Sequence, residues 1–233
     1  MFKEYKMKRI IQLACIVVMF YAGGHIVRYI YSYVKIENEL EEIQQFAGVG
    51  KLEELRKVNP RIIGWLTLEG TRLDNPVLQA EDNEFYLRHN YMDKESRGGS
   101  VFMDYRNNSL HDRHTIFYGH VLRNGTMFGS LAKFADQSYA EAHPVFYYET
   151  PERQYEFQVF AAYETTTDFY YIETDFTDES YAAFLEEIQS RSAITMPVEV
   201  REEDQIVTFS TCTTSINDKE RFVVHAKVVE RME

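Results

Sequence analysis

An apolar run from Ile10 to Val27, interrupted mainly by Gln12 and His25, follows a start in which Lys3, Lys6, Lys8 and Arg9 stand against a single Glu4. A positive flank ahead of a hydrophobic segment is the signature of a membrane anchor. A spanning helix needs about 20 mostly apolar residues. The run reaches that length when the aromatic stretch Tyr29 to Val34 is counted past Arg28, whose long side chain can extend toward the headgroups. Basic residues precede the span, so the positive-inside rule predicts a cytoplasmic N-terminus and everything after about Val34 outside, a single-pass type II topology. A cleaved signal peptide competes through Ala22-Gly23-Gly24, but no small-x-small site with a clear mature start is evident. A lipoprotein signal ending at Cys15 would leave too short an apolar stretch before it, and Cys15 reads as a membrane-buried thiol.

This topology gives the cysteines their meaning. The chain holds two, Cys15 and Cys212, one in the span and one in the exported part, so no disulfide can form within the exported domain. A lone cysteine outside the cell points to intermolecular pairing or to a reactive nucleophile. The 233 residues suffice for one domain with a core plus the N-terminal appendage. Acidic residues outnumber basic ones 37 to 25, a net charge of -12, which lacks the basic footprint of a nucleic-acid binder.

The organisation expected is an anchor over 1–35, a helical stalk over 36–59 and a globular domain over 60–233. Between Glu37 and Val58, Leu40, Ile43 and Phe46, then Leu52, Leu55 and Val58, recur at helical spacing and are split by Gly48 and Gly50. Two short amphipathic helices are predicted there, forming a stalk or packing on the domain edge, with a solvated spacer that has one sticky face as the favoured reading. Asn59-Pro60 ends them, and the chain becomes strand-rich from Ile62 to Leu68. Further strands are predicted around 76–78, 99–104, 115–118, 145–148, 155–163, 198–200, 206–211 and 222–229, on the strength of β-branched and aromatic residues between turn signals. Such a pattern suggests a closed barrel or a sandwich. One helix stands out over 178–191, capped by Thr177 or Asp178, and a shorter one is expected over 127–134.

Strand alternation over Ile206 to Cys212 puts Ile206, Thr208, Ser210 and Cys212 on one face and Val207, Phe209 and Thr211 on the other. Over Arg221 to Val229, Phe222, Val224, Ala226 and Val228 share one face and the other begins with Arg221. If these strands are neighbours joined through Thr213 to Glu220, Arg221 comes near Cys212. A third element, Thr115 to His120, is an apolar strand ending in Gly119-His120, and a histidine at a strand end beside turn glycines is placed as a site residue.

Thr208-Phe209-Ser210-Thr211-Cys212 with Arg221 nine residues on, Tyr118-Gly119-His120, and Gly125-Thr126-Met127-Phe128 together resemble the sortases, most closely class B. So do Pro76 to Gln79, Gly99 to Asn107, and Tyr171-Ile172 with Thr174-Asp175-Phe176 ahead of the added helix. The resemblance covers roughly residues 60 to 230. It implies a mainly β fold with added helices, a closed eight-stranded barrel, and a cysteine transpeptidation: cleavage of a C-terminal sorting signal after its Thr, then transfer of the new carboxyl to an amine. No cofactor is implied. The implied partners are surface proteins bearing a sorting signal, Asn-Pro-Gln-Thr-Asn-like in many class B members, and an amine of a peptidoglycan precursor or of a pilin. Two departures stand out: Phe209 where Leu is usual, on the face opposite Cys212, and Asp74 where some members have Asn.

The resemblance makes Cys212 the nucleophile, His120 its acid/base partner and Arg221 the stabiliser of the oxyanion. The chemistry fits. A thiol of ordinary pKa about 8.5 is mostly protonated at neutral pH and needs a proton acceptor or a cationic neighbour. His120 can accept that proton and return it to the leaving amine. Arg221 is permanently charged and forked, suited to a developing oxyanion. Leu78, Tyr118, Tyr171, Ile172, Ser210 and Thr211 would line the peptide groove, although Leu78 and Ile172 also suit a core. His225 reads as structural. His111 and His114 have a metal-like spacing, but they sit in a polar loop without a third ligand nearby, and no metal site is expected. A papain-like enzyme would place its Cys before its His and at the start of a helix. A non-catalytic tethered adhesin would leave the lone exported thiol, the Gly-His strand end and the spaced Arg unexplained.

Overall fold

A computed structural model describes residues 2–44, 52–122, 124–166, 168–212 and 220–231, with the side chains of 2–5, 109 and 212 outside that description. It contains two compact units, Met1–Glu42 and Ile43–Glu233. The first is built from α1 (Phe2–Gln44), a helix long and apolar enough to cross a membrane. Its Ile10, Ile11, Met19 and Phe20 are exposed all around the axis, the pattern of a lipid-facing helix rather than of a core one. The helix runs on through Glu37 to Gln44, so the first of the two expected amphipathic helices continues the span. Nothing between Val34 and Gln44 interrupts a helix, and Lys35 pairs with Glu39 one turn on, at 3.7 Å. Gly48 and Gly50 lie outside the described residues.

The second expected helix exists as α2 (Leu52–Val58), but it is not a solvated spacer. Leu52 and Leu55 are buried in one cluster with Ile43, Trp65, Leu78, Tyr86, Phe102, Ile116 and Tyr118, so α2 belongs to the core of the globular unit.

That unit is a closed eight-stranded barrel. Its strands are β1 (Ile62–Thr67), β2 (Asp74–Leu78), β3 (Val101–Met103), β4 (His114–His120), β5 (Val145–Glu149), β6 (Gln154–Thr166), β7 (Ile206–Cys212) and β8 (Glu220–Glu230). They follow one another around the barrel as β1-β2-β3-β4-β7-β8-β6-β5, and β5 closes on β1. Two pairs, β2 with β3 and β4 with β7, are parallel. The interior is aromatic: Phe209 stacks on Phe146 at 4.2 Å between ring centroids and on Phe117 at 5.6 Å, with Phe157 and Phe128 around it. The Phe209 departure therefore sits in the barrel centre.

Alternation sends the partner residues outward, where two helical layers cover them. α4 (Asp178–Ser190) is fixed by a capping box in which the Thr177 hydroxyl accepts from the Ser180 N–H, resolving the cap in favour of Thr177. Its Tyr181, Phe184, Leu185 and Ile188 pack with Phe160, Tyr163, Tyr171, Ile206 and Val223. The strand expected at 198–200 does not form. Val198 and Val200 pack against the α4 cluster as irregular chain, so their alternation reflects one-sided burial without a ladder partner. The helix expected over 127–134 is displaced as well: Met127 takes a positive φ of 52°, a 3-10 turn covers Leu131–Ala135, and α3 follows at Gln137–Ala142.

Candidate active site

β4 and β7 run parallel in a continuous register from His114 opposite Ile206 to His120 opposite Cys212. Phe117 and Phe209 point into the barrel, so alternation puts His114, Ile116, Tyr118 and His120 on the outer face beside Ile206, Thr208 and Ser210. His120 and Cys212 end neighbouring strands at one level of the register. Strand spacing sets their backbones about 4.8 Å apart. The antiparallel β7/β8 ladder runs to Ser210 opposite Val223, two residues short of Cys212 on β7 and of Arg221 on β8. Residues 213–219, which join these strands, lie outside the described residues.

Around this corner the groove is built from polar ties. The His120 Nε2 lies 2.8 Å from the Leu87 carbonyl, which can only accept, so Nε2 carries the proton and Nδ1 keeps the lone pair when the ring is neutral. Gly99 makes that approach possible. It has φ +58°, and a Cβ there would stand 2.9 Å from the Leu87 carbonyl oxygen and 3.1 Å from the His120 ring. Arg221 donates through Nη1 to the Glu220 carbonyl at 2.8 Å. Leu87 carries no side-chain chemistry to flag it in the sequence; only the left-handed glycine at 99 hints at a crowded backbone.

Of the six residues proposed for the groove, five share the outer face or its loop. Leu78 is fully buried in the cluster with Trp65 and Tyr118. Tyr118 donates its hydroxyl to Asp104 at 2.9 Å, and Tyr171 shares a 2.8 Å hydrogen bond with the Ser210 hydroxyl. Ile172 is partly buried where both outer clusters meet. Thr211 differs. It is on the inner face, and its hydroxyl accepts from the Phe222 N–H (2.9 Å) and donates to the Phe222 carbonyl (3.1 Å). Its side chain binds β7 to β8 and does not face the groove. Asp74, the second departure, spends its carboxylate on the Trp65 indole N–H at 2.6 Å and the Thr67 hydroxyl at 3.0 Å.

His114, expected in a polar loop, instead opens β4 and is fully buried. Its Nδ1 donates to the Glu173 carbonyl at 2.7 Å and its Nε2 accepts from the Thr208 hydroxyl at 2.6 Å. The Thr208 oxygen accepts in turn from His225 Nδ1 at 2.7 Å, and His225 Nε2 accepts from the Tyr163 hydroxyl at 2.9 Å. One proton assignment satisfies every member with both imidazoles neutral. Burial lowers His114 to about 4, against the raising effect of the Glu173 carbonyl, and takes His225 well below its ordinary value. Both rings are structural.

The sortase-domain family model matches residues 66–229. The chain belongs to the sortase family. Sortase B of Listeria monocytogenes is 44% identical over 184 residues, covering 78% of this chain and 75% of that protein. Sortase B of Staphylococcus aureus is 36% identical over 244 residues, 97% of this chain and 99% of that one. The solved Staphylococcus aureus sortase B–substrate complex superposes with a TM-score of 0.82 at 35% identity, covering 87% of this chain and all of that one. The chain is accordingly a class B sortase, a cysteine transpeptidase on an eight-stranded barrel.

Proposed function

We propose that this sortase is tethered by α1 with its N-terminus in the cytoplasm and its barrel outside, and that Cys212, His120 and Arg221 carry the reaction there. The basic residues ahead of the apolar run support the type II orientation. The observation that supports the site is the register pairing of His120 with Cys212, with Arg221 near the start of β8, the strand on the other side of β7.

The thiol of Cys212 gives its proton to His120 and attacks the carbonyl carbon of the Thr in the sorting signal. Arg221 faces the oxygen that takes up charge in the tetrahedral intermediate. Collapse breaks the C–N bond, His120 protonates the leaving amine, and the substrate is held as a thioester on Cys212. An incoming amine, on a peptidoglycan precursor or on a pilin, then attacks the same carbon, loses its proton to His120 and releases the thiol. The Leu87 carbonyl holds the His120 ring so that one nitrogen remains open for this proton traffic.

The test is Cys212→Ala, assayed by mass spectrometry with peptides carrying an Asn-Pro-Gln-Thr-Asn-type signal and a saturating amine. Wild-type protein cleaves and transfers. A folded Cys212→Ala protein that still cleaves would overturn the assignment.

A further inference from the structure

Asp104 is fully buried although it carries a charge, and it is the meeting point of three parts of the groove. Arg106 grips it through Nε to Oδ1 (2.9 Å) and Nη2 to Oδ2 (2.8 Å), and the Arg106 N–H adds a third bond at 2.9 Å. The Tyr118 hydroxyl and the Asn83 amide both donate to Oδ2 at 2.9 Å. The same Arg106 fork reaches across to the loop between β6 and α4, where Nη2 donates to the Ile172 carbonyl at 2.9 Å and Nη1 to the Tyr170 hydroxyl at 3.1 Å.

We infer that Asp104 and Arg106 are positioning residues for peptide binding: the ion pair fixes the loop that carries Tyr171 and Ile172 at a set distance from Tyr118 and β4. This rests on the groove assignment proposed above and extends it to residues that touch no substrate. Besides the Arg106 bond to the Tyr170 hydroxyl, three hydrogen bonds among the described residues tether the loop. Arg106 holds the Ile172 carbonyl, His114 holds the Glu173 carbonyl, and Tyr171 holds Ser210. The His114 and Ser210 ties run to β4 and β7. The Arg106 ties link the loop to the segment after β3, and through Asp104 to Tyr118.

Burial of an ion pair offers little net stability compared with apolar packing. Its retention here is explained by what it specifies. A planar fork can hold a carboxylate and a carbonyl on another segment at once, and a lysine ammonium in the same place lacks that fixed geometry. Burial pushes Asp104 up, but the Arg106 side chain and backbone and the Tyr118 hydroxyl together hold it below the ordinary carboxylate range, so the hub stays charged at working pH.

The experiment measures the affinity of a fluorescent Asn-Pro-Gln-Thr-Asn peptide by anisotropy in the full chain in detergent, with Cys212→Ala as background so that turnover cannot intervene. Arg106→Gln is expected to weaken binding about tenfold or more, the effect of one charge-assisted hydrogen bond. Because Arg106 acts through the loop, adding it to Ile172→Ala should weaken binding by less than about twofold beyond Ile172→Ala alone, the signature of coupling. Arg106→Lys keeps the charge and should not restore affinity; where Arg106→Gln fails to fold, Arg106→Lys carries the comparison. Unchanged affinity in a folded variant, full recovery with Lys, or additive losses with Ile172→Ala would each overturn the inference. Cleavage by the wild-type enzyme, measured alongside, separates this failure from failure of the proposed reaction.

Discussion

Acidification should destabilise this sortase well above the pH at which carboxylates protonate, because the folded barrel keeps His114 neutral. In the unfolded chain an imidazole titrates near 6.5, whereas burial lowers His114 to about 4. Between those values the unfolded state binds the extra proton and the folded state does not, so unfolding free energy falls as pH falls. Above about 6.5 neither state is protonated and this contribution is flat. At 1.36 kcal/mol per pH unit, His114 alone removes about 2 kcal/mol by pH 5 and about 3 kcal/mol once pH reaches 4. His225, also lowered by burial, adds to the loss with the same sign. Asp104 and Glu173 behave differently. Their folded values are lowered, so their stabilisation persists until pH falls below the ordinary carboxylate range. Glu149, raised by burial, acts in the opposite direction.

Urea unfolding followed through Trp65, the only tryptophan, measures this at pH 7.5, 6 and 5 in detergent-solubilised protein. The difference in pH slope between wild type and His114→Gln reports His114 together with its effect on His225, which it reaches through Thr208. Equal slopes, or a His114 ring that titrates near 6.5 by NMR, would refute the argument that burial and the Thr208 bond hold it neutral.

Arg221→Lys should lower turnover about 10² to 10³-fold, the usual effect of losing one oxyanion donor, and near wild-type turnover would shift that role to backbone amides. Tyr171→Ala or Ile172→Ala should raise the ratio of hydrolysis to transfer, read by mass spectrometry with a saturating acceptor amine, because the thioester survives water only where the groove excludes it. An unchanged ratio with both rates equally reduced would confine these side chains to binding the sorting signal. Thr211→Val should lower stability by about 1 to 3 kcal/mol, because the buried Phe222 N–H loses its acceptor, and a melting temperature equal to wild type would count against the inter-strand role of that hydroxyl.

The faces of β7 and β8 were legible in the sequence because alternation in a half-buried strand depends only on local order. The meeting of His120 with Cys212 was not legible from alternation. It requires β4 and β7 to lie parallel and adjacent, a pairing across more than ninety residues that no local pattern encodes, and it came only with the family resemblance. His114 was misplaced because Asp112 and Arg113 precede it, and a charged approach hides the burial that starts one residue later. The solvated-spacer reading of α2 gave way to packing on the domain for a related reason: helical spacing of Leu52 and Leu55 identifies an apolar face but not what covers it. Asp104 and Arg106 lay within a recognised stretch, yet an acid and a base two residues apart on a polar turn look like an exposed pair until burial is known.

The two faces of the barrel divide the work, and the division explains which residues resist a single description. Inward positions such as Phe117, Phe146, Phe157 and Phe209 form an aromatic centre whose changes are felt as cavities. Outward positions on β4 and β7 carry Tyr118, His120 and Ser210 without disturbing that centre, since alternate side chains leave the strand on opposite sides. A slip of one residue in the β4/β7 register would turn the outward set of one strand against the inward set of the other. Phe209 stacked on Phe117 opposes such a slip, because the large rings fill the centre only in one pairing. The packing of the inner face thus sets the level at which the outer residues meet. Thr211 lies on the boundary: inward-facing, it bonds both backbone groups of Phe222 and so fixes β7 against β8 at the step next to Cys212 and Arg221.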